Sequence, residues 1–304
     1  MSDEPQPSAP GPAASASAAP QGEQEEPPAS LAESAEAQRE ASERRRTGRR
    51  RAIGQRVMIA LEGVHKGFGL RQILRGVDLE IREGETVCII GGSGTGKSVT
   101  LKHVMRLLDP DAGQIWLDGE DITNIGGDAL QKARLKLGVN FQFGALLNWL
   151  TVFENVALPL RENTRMKEQE IERRVMSKLE LLRIPHARDQ FPDQISGGMR
   201  KRAGLARAVV MEEYLKVILY DEPTSGLDPI STALVDEMIN EMRERLGVTQ
   251  VVVTHDMASV YRIADRVAVL FEGKVVQYGT PDEIKDSHHP YVQQFVSGLT
   301  KPPE

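Results

Sequence analysis

The chain has 304 residues, a formal net charge of -6 and a single cysteine, Cys88. This length suits one large or two small domains, and the acidic balance argues against a protein devoted to binding nucleic acid. Nowhere does it hold the ~18 consecutive apolar residues of a membrane span, and its one cysteine allows no internal disulfide, which favours a reducing, cytoplasmic compartment.

Residues 1–52 form an extension that is rich in Pro, Ala, Ser and Glu and almost free of branched or aromatic side chains. Such a segment cannot bury enough apolar surface to offset the entropy of ordering it, so we predict that it is disordered. It has no apolar core stretch, which is unlike a signal peptide. Its arginine-rich end, residues 44–51, is typical of a solvated hinge, with contact to anionic lipid headgroups or nucleic acid as the alternative.

The body of the chain, from about residue 53, opens with short runs that predict strands. Alternating apolar residues in VMIALEGV and LRGVDLEI, and the fully apolar TVCII, are typical of β-structure. SVTLKHVMRLL follows with the apolar spacing of a helix and ends at Asp109–Pro110. QIWLDGEDI then predicts another short strand or a hairpin.

The middle of the chain has a different character. ENVALPLREN, KEQEIERRVMSKLELLRI and a helix that starts at Ser-Gly-Gly carry helical periodicity with no convincing strand. After Lys216, VILY, QVVVTH, RVAVLF and KVVQYG predict strands, and STALVDEMINEMRERL predicts a helix. This alternation predicts a mostly parallel sheet, and the helical block at about residues 143–212 is expected to form a subdomain of its own.

The segment GGSGTGKS matches the phosphate-binding pattern G-x-x-x-x-G-K-[ST] at every fixed position. An apolar strand before it and a helix after it are the context that this motif requires. Its amides and the helix N-terminus are expected to hold phosphate oxygens, with Lys97 neutralising the outer phosphates and the Ser98 hydroxyl ligating Mg²⁺. The predicted nucleotide-binding residues here, which we call the cradle, are Gly91, Gly92, Ser93, Gly94, Thr95, Gly96, Lys97, Ser98 and Val99.

Two adjacent acids, Asp221 and Glu222, follow the apolar run VILY. Neighbouring residues at the end of a strand point in different directions, so the two carboxylates can have different roles. We predict that Asp221 holds Mg²⁺ or its waters, and that Glu222 orients and deprotonates the attacking water. The residues therefore predict hydrolysis of a nucleoside triphosphate.

A second glycine-led helix start, QISGGMRKRAGLARA, lies about a hundred residues after the cradle. One cradle binds one nucleotide, so this second start is expected to meet phosphate from elsewhere. Four segments now resemble the ATP-binding subunits of ABC transporters: ISGGM, DEPTSGLD, Gln142 in NFQFG and His255 in VVVTHD. The resemblance covers about residues 57–280. The segment ISGGM corresponds to the signature motif of that family, in which Leu and Gln are commoner than Ile195 and Met199.

The resemblance implies an α/β P-loop NTPase fold: a RecA-like core with an antiparallel β subdomain, and an inserted α-helical subdomain. The expected ATPase domain spans residues 53–280, and residues 281–304 form a tail with a short helix. In this family two cassettes stack head to tail, and each ATP lies between the cradle of one and the Ser-Gly-Gly helix of the other. Closure then depends on the γ-phosphate, so hydrolysis releases the clamp.

The resemblance also assigns roles to individual residues. Gln142 would ligate Mg²⁺ or the attacking water, and His255 would hydrogen-bond the γ-phosphate and Glu222. Phe68 would stack on adenine, with ordinary core packing as the alternative. The residues that would act across the dimer are Ser196, Gly197 and Gly198, which would contact the partner's γ-phosphate, and Asp228, which would lie at the seam.

A narrower resemblance concerns the transporter. SGGMRKRAGLARAV, FQFGALLNWLTVFENVALPLREN and DEPTSGLDPI resemble the ATPases of Mla/Mce-type lipid transporters, which move phospholipids or related lipids between bacterial membranes. HHPYVQQFVSG resembles the tail of that group, where a final helix contacts neighbouring subunits. The implied partners are a second copy of the chain, an integral-membrane permease, an MCE-type lipid-binding subunit and a small accessory subunit, at the cytoplasmic face of the inner membrane.

Three other classes of ATPase share some or all of these motifs. A DNA-repair or chromosome ATPase separates the same motifs with long coiled coils, whereas here only about a hundred residues lie between them. A translation-factor ATPase carries two cassettes in one chain, whereas this chain has one. The ATPase of a polar-solute importer differs only in its partner and stays open. The apolar residues after Gln142 either line a groove for a permease helix or pack inside the helical block; they are Leu146, Leu147, Trp149, Leu150, Val152 and Phe153.

Overall fold

The computed structural model describes residues 56–142 and 144–298. The predicted disordered extension, residues 1–52, and the last residues of the predicted tail, 299–304, lie outside these ranges. Within them, four strands form an antiparallel sheet in the order β2-β1-β4-β5. These strands are β1 Val57–Phe68, β2 Arg71–Arg82, β4 Ala112–Leu117 and β5 Glu120–Asp121.

Six further strands form a second sheet, which is parallel except for its last strand. They are β3 Thr86–Ile90, β6 Leu137–Asn140, β7 Val217–Asp221, β8 Thr249–Val253, β9 Arg266–Phe271 and β10 Lys274–Gly279. Their order is β10-β9-β3-β8-β7-β6, and only β10 is antiparallel to its neighbour. The inner strands are mostly apolar and almost fully buried because both faces of a parallel sheet are covered.

Nine α-helices connect and cover these strands in the described part of the chain. They are α1 Lys97–Val104, α2 Gly127–Leu135, α3 Val152–Asn163, α4 Glu168–Leu181, α5 Gly197–Val209, α6 Pro229–Leu246, α7 Met257–Ile263, α8 Pro281–Lys285 and α9 Pro290–Ser297. Helix α1 was expected to run on towards Asp109 but ends at Val104. Arg106 has a left-handed φ of 52°, which breaks the helix, and its guanidinium donates to the Ile122 carbonyl at 2.8 Å.

Alternating residues of the inner strands face two separate cores. Cys88 and Ile90 lie in the core that contains α3 to α6, whereas Val87 and Ile89 lie in the core shared with α1 and the antiparallel sheet. Across β3, β8 and β7, Ile89 stands opposite Val253, which stands opposite Asp221. The carboxyl ends of these three strands therefore meet at one edge of the sheet, where α/β folds place their ligands.

Helices α3 to α5 all lie between β6 and β7, as the helical block predicted. Helix α3 begins with a capping box in which the Thr151 hydroxyl accepts from the Glu154 amide, and the Glu154 carboxylate accepts from the Thr151 amide at 2.8 Å. Val152 is fully buried, while Trp149 is 73% exposed. Val152 thus packs inside the helical block and Trp149 does not, and the groove for a permease helix stays a prediction. The division of the chain at residues 53 and 280 stays a prediction.

No helix among the described residues is long and apolar enough to cross a membrane.

Candidate active site

The cradle is the loop between β3 and α1, and two of its glycines are required by its geometry. Gly91 has a φ of 147°, and a Cβ there would lie 2.2 Å from the Leu270 carbonyl oxygen. Gly96 has a φ of 105°, and a Cβ there would lie 2.7 Å from the Leu74 side chain. Only glycine accommodates both the backbone conformation and the close approach.

Helix α1 starts at this loop without a side-chain cap and without an acidic residue in its first turn. The first amides of a helix carry a partial positive charge and lack partners within the helix. Because Gly96 supplies no side chain to cap them, they are open to an anion. This arrangement is suited to a phosphate group.

Lys97 places its ammonium inside the loop. Its Nζ donates to the carbonyl oxygens of Gly91 at 2.8 Å and Gly92 at 2.9 Å. Burial lowers the pKa of Lys97, and the nearby carboxylates of Glu222 and Asp221 oppose that shift. The positive charge that a triphosphate requires is therefore held between the loop and the acidic pair.

Ser98, the last fixed residue of the phosphate-binding motif, and Asp221, the first residue of the acidic pair, are distant in sequence but in contact in the fold. The Ser98 hydroxyl donates to Asp221 Oδ1 at 3.0 Å. A hydroxyl and a carboxylate are oxygen donors of the kind that Mg²⁺ prefers, and Mg²⁺ is usually held by one or two carboxylates together with substrate phosphates. The residues present therefore fit that ion.

Glu222 has a different partner from its neighbour Asp221. Its Oε2 lies 2.8 Å from His255 Nδ1, and the Glu222 amide donates to the Val253 carbonyl at 2.9 Å. Glu222 has a φ of 51°, a strained conformation for a residue with a side chain. The sharp change of backbone direction separates the two acids, so that Asp221 pairs with Ser98 and Glu222 with His255.

Gln142 lies near the start of the connection from β6 to α3, close to the turn that follows Glu222. Its Nε2 donates to the Ser225 hydroxyl at 3.4 Å. Lys201 of α5, a residue that sequence reasoning missed, donates from Nζ to the Ser225 carbonyl. Lys201 is buried, which lowers its pKa, and the charge of Glu222 opposes this. A lysine on the inward face of an Ala- and Leu-rich helix is the signal that could have indicated it.

The second glycine motif is built differently from the cradle. Ser196 caps α5, its Oγ accepting from the Met199 amide at 3.2 Å, and no acidic residue occupies the first turn. Ser196 and Gly197 are exposed. A Cβ added at Gly197 or Gly198 would meet nothing within 4 Å, and neither glycine has a left-handed φ. The packing of this chain does not require glycine at either position.

Asp228 and Phe68, the remaining predicted residues, lie at element ends. Asp228 caps α6, accepting from the amides of Ile230 and Ser231 at 3.0 Å each. Phe68 ends β1 and is 51% exposed, so it is not a core residue. A cleft of about 540 Å³ lies between the cradle and the start of β2, which follows Phe68 after a short turn. The adenine role of Phe68 stays a prediction.

A buried strand, a glycine loop holding a lysine, an uncapped helix start and an Asp-Glu pair define a P-loop nucleoside triphosphatase. The ABC transporter family model matches residues 74–225. The probable ribonucleotide transport ATP-binding protein mkl of Mycobacterium leprae is 42% identical over 242 residues, covering 80% of this chain and 69% of the relative. The intermembrane phospholipid transport system ATP-binding protein MlaF of Escherichia coli is 38% identical over 235 residues, covering 77% and 87%.

Among solved structures, the dimeric ATP-binding cassette MJ0796, bound to ADP and Pi in a post-hydrolysis state, matches with a TM-score of 0.68. It is 33% identical and covers 74% of this chain and 99% of its own. The chain therefore belongs to the ABC transporter family and is an ATP-hydrolysing subunit of a transporter. The predicted fold class is confirmed: the α/β P-loop core, the antiparallel sheet and the inserted helices are all present.

Proposed function

We propose that this subunit powers a permease that moves phospholipids or related lipids between bacterial membranes. The observation that carries the proposal is the similarity to MlaF, which extends over 87% of that protein. The signature-helix segment GGMRKRAGLARAV, residues 197–209 of α5, and the C-terminal segment HHPYVQQFVSG support the same subgroup. The first segment forms α5 and most of the second forms α9, and both helices pack on the larger core.

We infer that the subunit works as a homodimer with two ATP molecules at the join. Support comes from the second glycine motif, which is exposed, uncrowded and free of first-turn acids. Neither the packing nor the backbone conformation of this chain requires glycine at Gly197 or Gly198. Close approach of a ligand from outside the chain explains the two glycines best. The γ-phosphate held by one cradle would meet Ser196, Gly197 and Gly198 of the partner subunit, with Asp228 near the seam.

The proposed chemistry follows from the contacts of the cradle and the acidic pair. Ser98, Asp221 and Gln142 would hold Mg²⁺, which when bound supplies positive charge that neutralises the phosphates. Lys97 would leave the loop carbonyls and donate to the outer phosphate oxygens. Glu222 would accept a proton from the attacking water, and His255, 2.8 Å away, would orient that carboxylate and reach the γ-phosphate.

The proposed partners follow from the same assignment. They are a permease, an MCE-type lipid-binding subunit and a small accessory subunit, with the ATPase bound peripherally at the cytoplasmic face of the inner membrane. The exposed indole of Trp149, next to the half-buried Leu147 and Leu150, offers apolar surface to a permease helix.

A second candidate is the ATPase of a polar-solute importer. The Mycobacterium leprae relative, whose name describes ribonucleotide transport, favours it with 42% identity. The two candidates share every residue of the site and differ only in the membrane partner and the cargo.

Purification of the complex from native membranes tests the choice. A tagged Glu222→Gln variant, kept closed with MgATP, is extracted in mild detergent, and its partners and bound lipids are identified by mass spectrometry. Lipid transport predicts a permease together with a single-span lipid-binding subunit and phospholipid. A permease that instead brings a solute-binding protein, without the single-span subunit, would contradict it.

A further inference from the structure

The C-terminal helix α9 makes direct contact with the cradle. The Tyr291 hydroxyl, near the start of α9, accepts a hydrogen bond from the Gly92 amide at 2.7 Å. The two residues are 199 positions apart in the chain. The cradle amide of Gly92 is therefore committed to a side chain of the same protein.

The bonded group is one peptide unit, held at both of its ends. The carbonyl of Gly91 and the amide of Gly92 belong to the same planar unit. The Gly91 carbonyl accepts from Lys97 Nζ at 2.8 Å, while the Gly92 amide donates to Tyr291. Tyr291 and Lys97 thus fix the orientation of this unit from opposite sides.

This unit is the one in the loop with the least intrinsic restraint, because glycine flanks it on both sides. Glycine populates conformations that other residues avoid, so a peptide between two glycines rotates more freely. Rotation would turn the Gly91 carbonyl away from Lys97 and reshape the entrance to the cradle. The tyrosine hydroxyl opposes that rotation.

The tyrosine is itself held firmly. Its ring stacks on Phe271, the last residue of β9, with ring centroids 3.9 Å apart and an interplanar angle of 27°. The next residue, Val292, is fully buried in the larger core. The hydroxyl therefore projects from a rigid support towards the loop.

We propose that Tyr291 is a positioning residue through which the C-terminal helix sets the affinity of the cradle for ATP. When the tether is lost, only the fraction of molecules with a correctly oriented loop binds, and the apparent Kd rises in inverse proportion to that fraction. Once ATP is bound, its phosphates hold the loop, so the rate of the chemical step is unchanged. The proposal rests on the assignment of the cradle to ATP and is independent of the cargo.

The test is Tyr291→Phe in the full chain, which keeps the ring and its stacking on Phe271 but removes the acceptor oxygen. Loss of one hydrogen bond predicts that Kd and KM for MgATP rise about 3- to 10-fold while kcat stays within about twofold. Tyr278→Phe is the matched control, because Tyr278 also uses its hydroxyl, to the Glu80 carbonyl at 3.0 Å, on the sheet edge away from the cradle. It should leave Kd unchanged.

Gly92→Ala gives an independent variant on the other side of the bond. The added Cβ would lie 3.2 Å from the Tyr291 oxygen, so it should weaken the bond and raise Kd. In the Tyr291→Phe background that oxygen is gone, so Gly92→Ala should raise Kd by a smaller factor there than in the unsubstituted protein, as coupled residues do. Fully additive effects of the two substitutions would overturn the proposal.

Reciprocal coupling gives a second readout. If α9 promotes ATP binding, ATP must stabilise the docking of α9 by the same factor. MgATP should therefore slow hydrogen exchange at the amides of residues 291–297 in the unsubstituted protein and not in Tyr291→Phe. Equal protection in both would contradict the proposal.

A Lys97→Ala variant distinguishes a failure of the Tyr291 role from a failure of the cradle assignment. If it loses ATP binding while Tyr291→Phe binds as tightly as the unsubstituted protein, the role of Tyr291 is wrong and the cradle assignment stands. If Lys97→Ala binds ATP normally, the cradle assignment fails and the inference fails with it.

Discussion

The chain contains two glycine-led helix starts, and they differ in what their glycines do. In the cradle, Gly91 has a left-handed φ and lies against the Leu270 carbonyl, so the fold of this chain demands glycine there. At the start of α5, Gly197 and Gly198 have open space where a side chain would stand. The backbone conformation and packing of this chain explain the glycine at Gly91, but they do not explain those at Gly197 and Gly198.

That difference separates two kinds of reason for a glycine. The cradle needs glycine to fold, and a fold-stability measurement can detect the need. The signature start, which we define as Ser196–Gly198, needs glycine only if something approaches it from outside. This difference supports the proposal that the two motifs are halves of one site, which a second copy of the chain completes.

The largest expected effect is that of Glu222→Gln, which should prevent hydrolysis while leaving the cradle and the signature start unchanged. Glu222→Gln loses the carboxylate that would accept the proton of water, so kcat should fall by about 10²- to 10⁴-fold. The amide keeps the size of the side chain, so the Kd for ATP should stay within about twofold in a titration with a fluorescent ATP analogue, since Glu222 is given no role in binding.

The matched control is Glu244→Gln on α6, an exposed glutamate outside the site. It should hydrolyse ATP at the normal rate. Near-normal turnover of Glu222→Gln would remove Glu222 from its role.

The next largest effect is expected from a substitution that changes the signature start and leaves the cradle unchanged. Ser196→Arg places a bulky side chain where the partner's phosphate would lie, so turnover should fall by at least about 100-fold, the scale of losing a key charge-stabilising contact. Binding of ATP to the monomer should be unchanged, because the cradle of the same chain is untouched. Loss of both turnover and binding would mean that this helix start is purely structural.

A glycine pair tests the comparison through stability. Gly91→Ala must adopt a strained φ and displace the Leu270 carbonyl, so the free energy of unfolding should fall by about 3 kcal/mol. Gly198→Ala, in the first turn of α5, should instead raise it by about 0.5 kcal/mol because alanine loses less entropy on folding. Urea unfolding without nucleotide measures both.

A stability loss of similar size in the two alanine variants would contradict the distinction between the motifs. So would a Gly198→Ala variant that turns over ATP as fast as the unsubstituted protein, since its methyl group would face the partner's nucleotide.

The smallest expected effect compares two helix caps. Thr151→Ala and Ser196→Ala each remove a cap hydroxyl that accepts from the third residue of its helix, so each should cost about 1 kcal/mol of stability. Only Ser196→Ala should also lower turnover, because only that hydroxyl is given a contact with phosphate. Thermal unfolding measures the stability of the two variants, and steady-state ATPase rates measure their turnover. An equal loss of turnover in both would contradict the proposed contact of Ser196 with phosphate.

Much of the architecture could be predicted because its sequence signals are local. The fully apolar runs TVCII and VILY predicted strands β3 and β7, and the motif between strand and helix predicted the cradle. Strand β6 was not predicted, since LGVN is only four residues long and adjoins a helix. Helix α2 was missed because it buries only Ala133 and so lacks an apolar stripe.

Contacts between distant segments were beyond sequence reasoning. The hydrogen bond from Gly92 to Tyr291 and the one from Lys201 to Ser225 both depend on how complete elements pack. The pairing of Glu222 with His255 could be expected only through the family resemblance, because nothing local in DEP or VTH specifies it.

The measurement that tests the central claim most directly is the mass of the particle in solution with MgATP. Glu222→Gln is expected to retain ATP without hydrolysing it. Light scattering with saturating MgATP should then give the mass of two chains, and the same variant carrying Ser196→Arg should give the mass of one. A Glu222→Gln protein that stays at one chain with bound ATP, alone and beside its permease, would contradict the account.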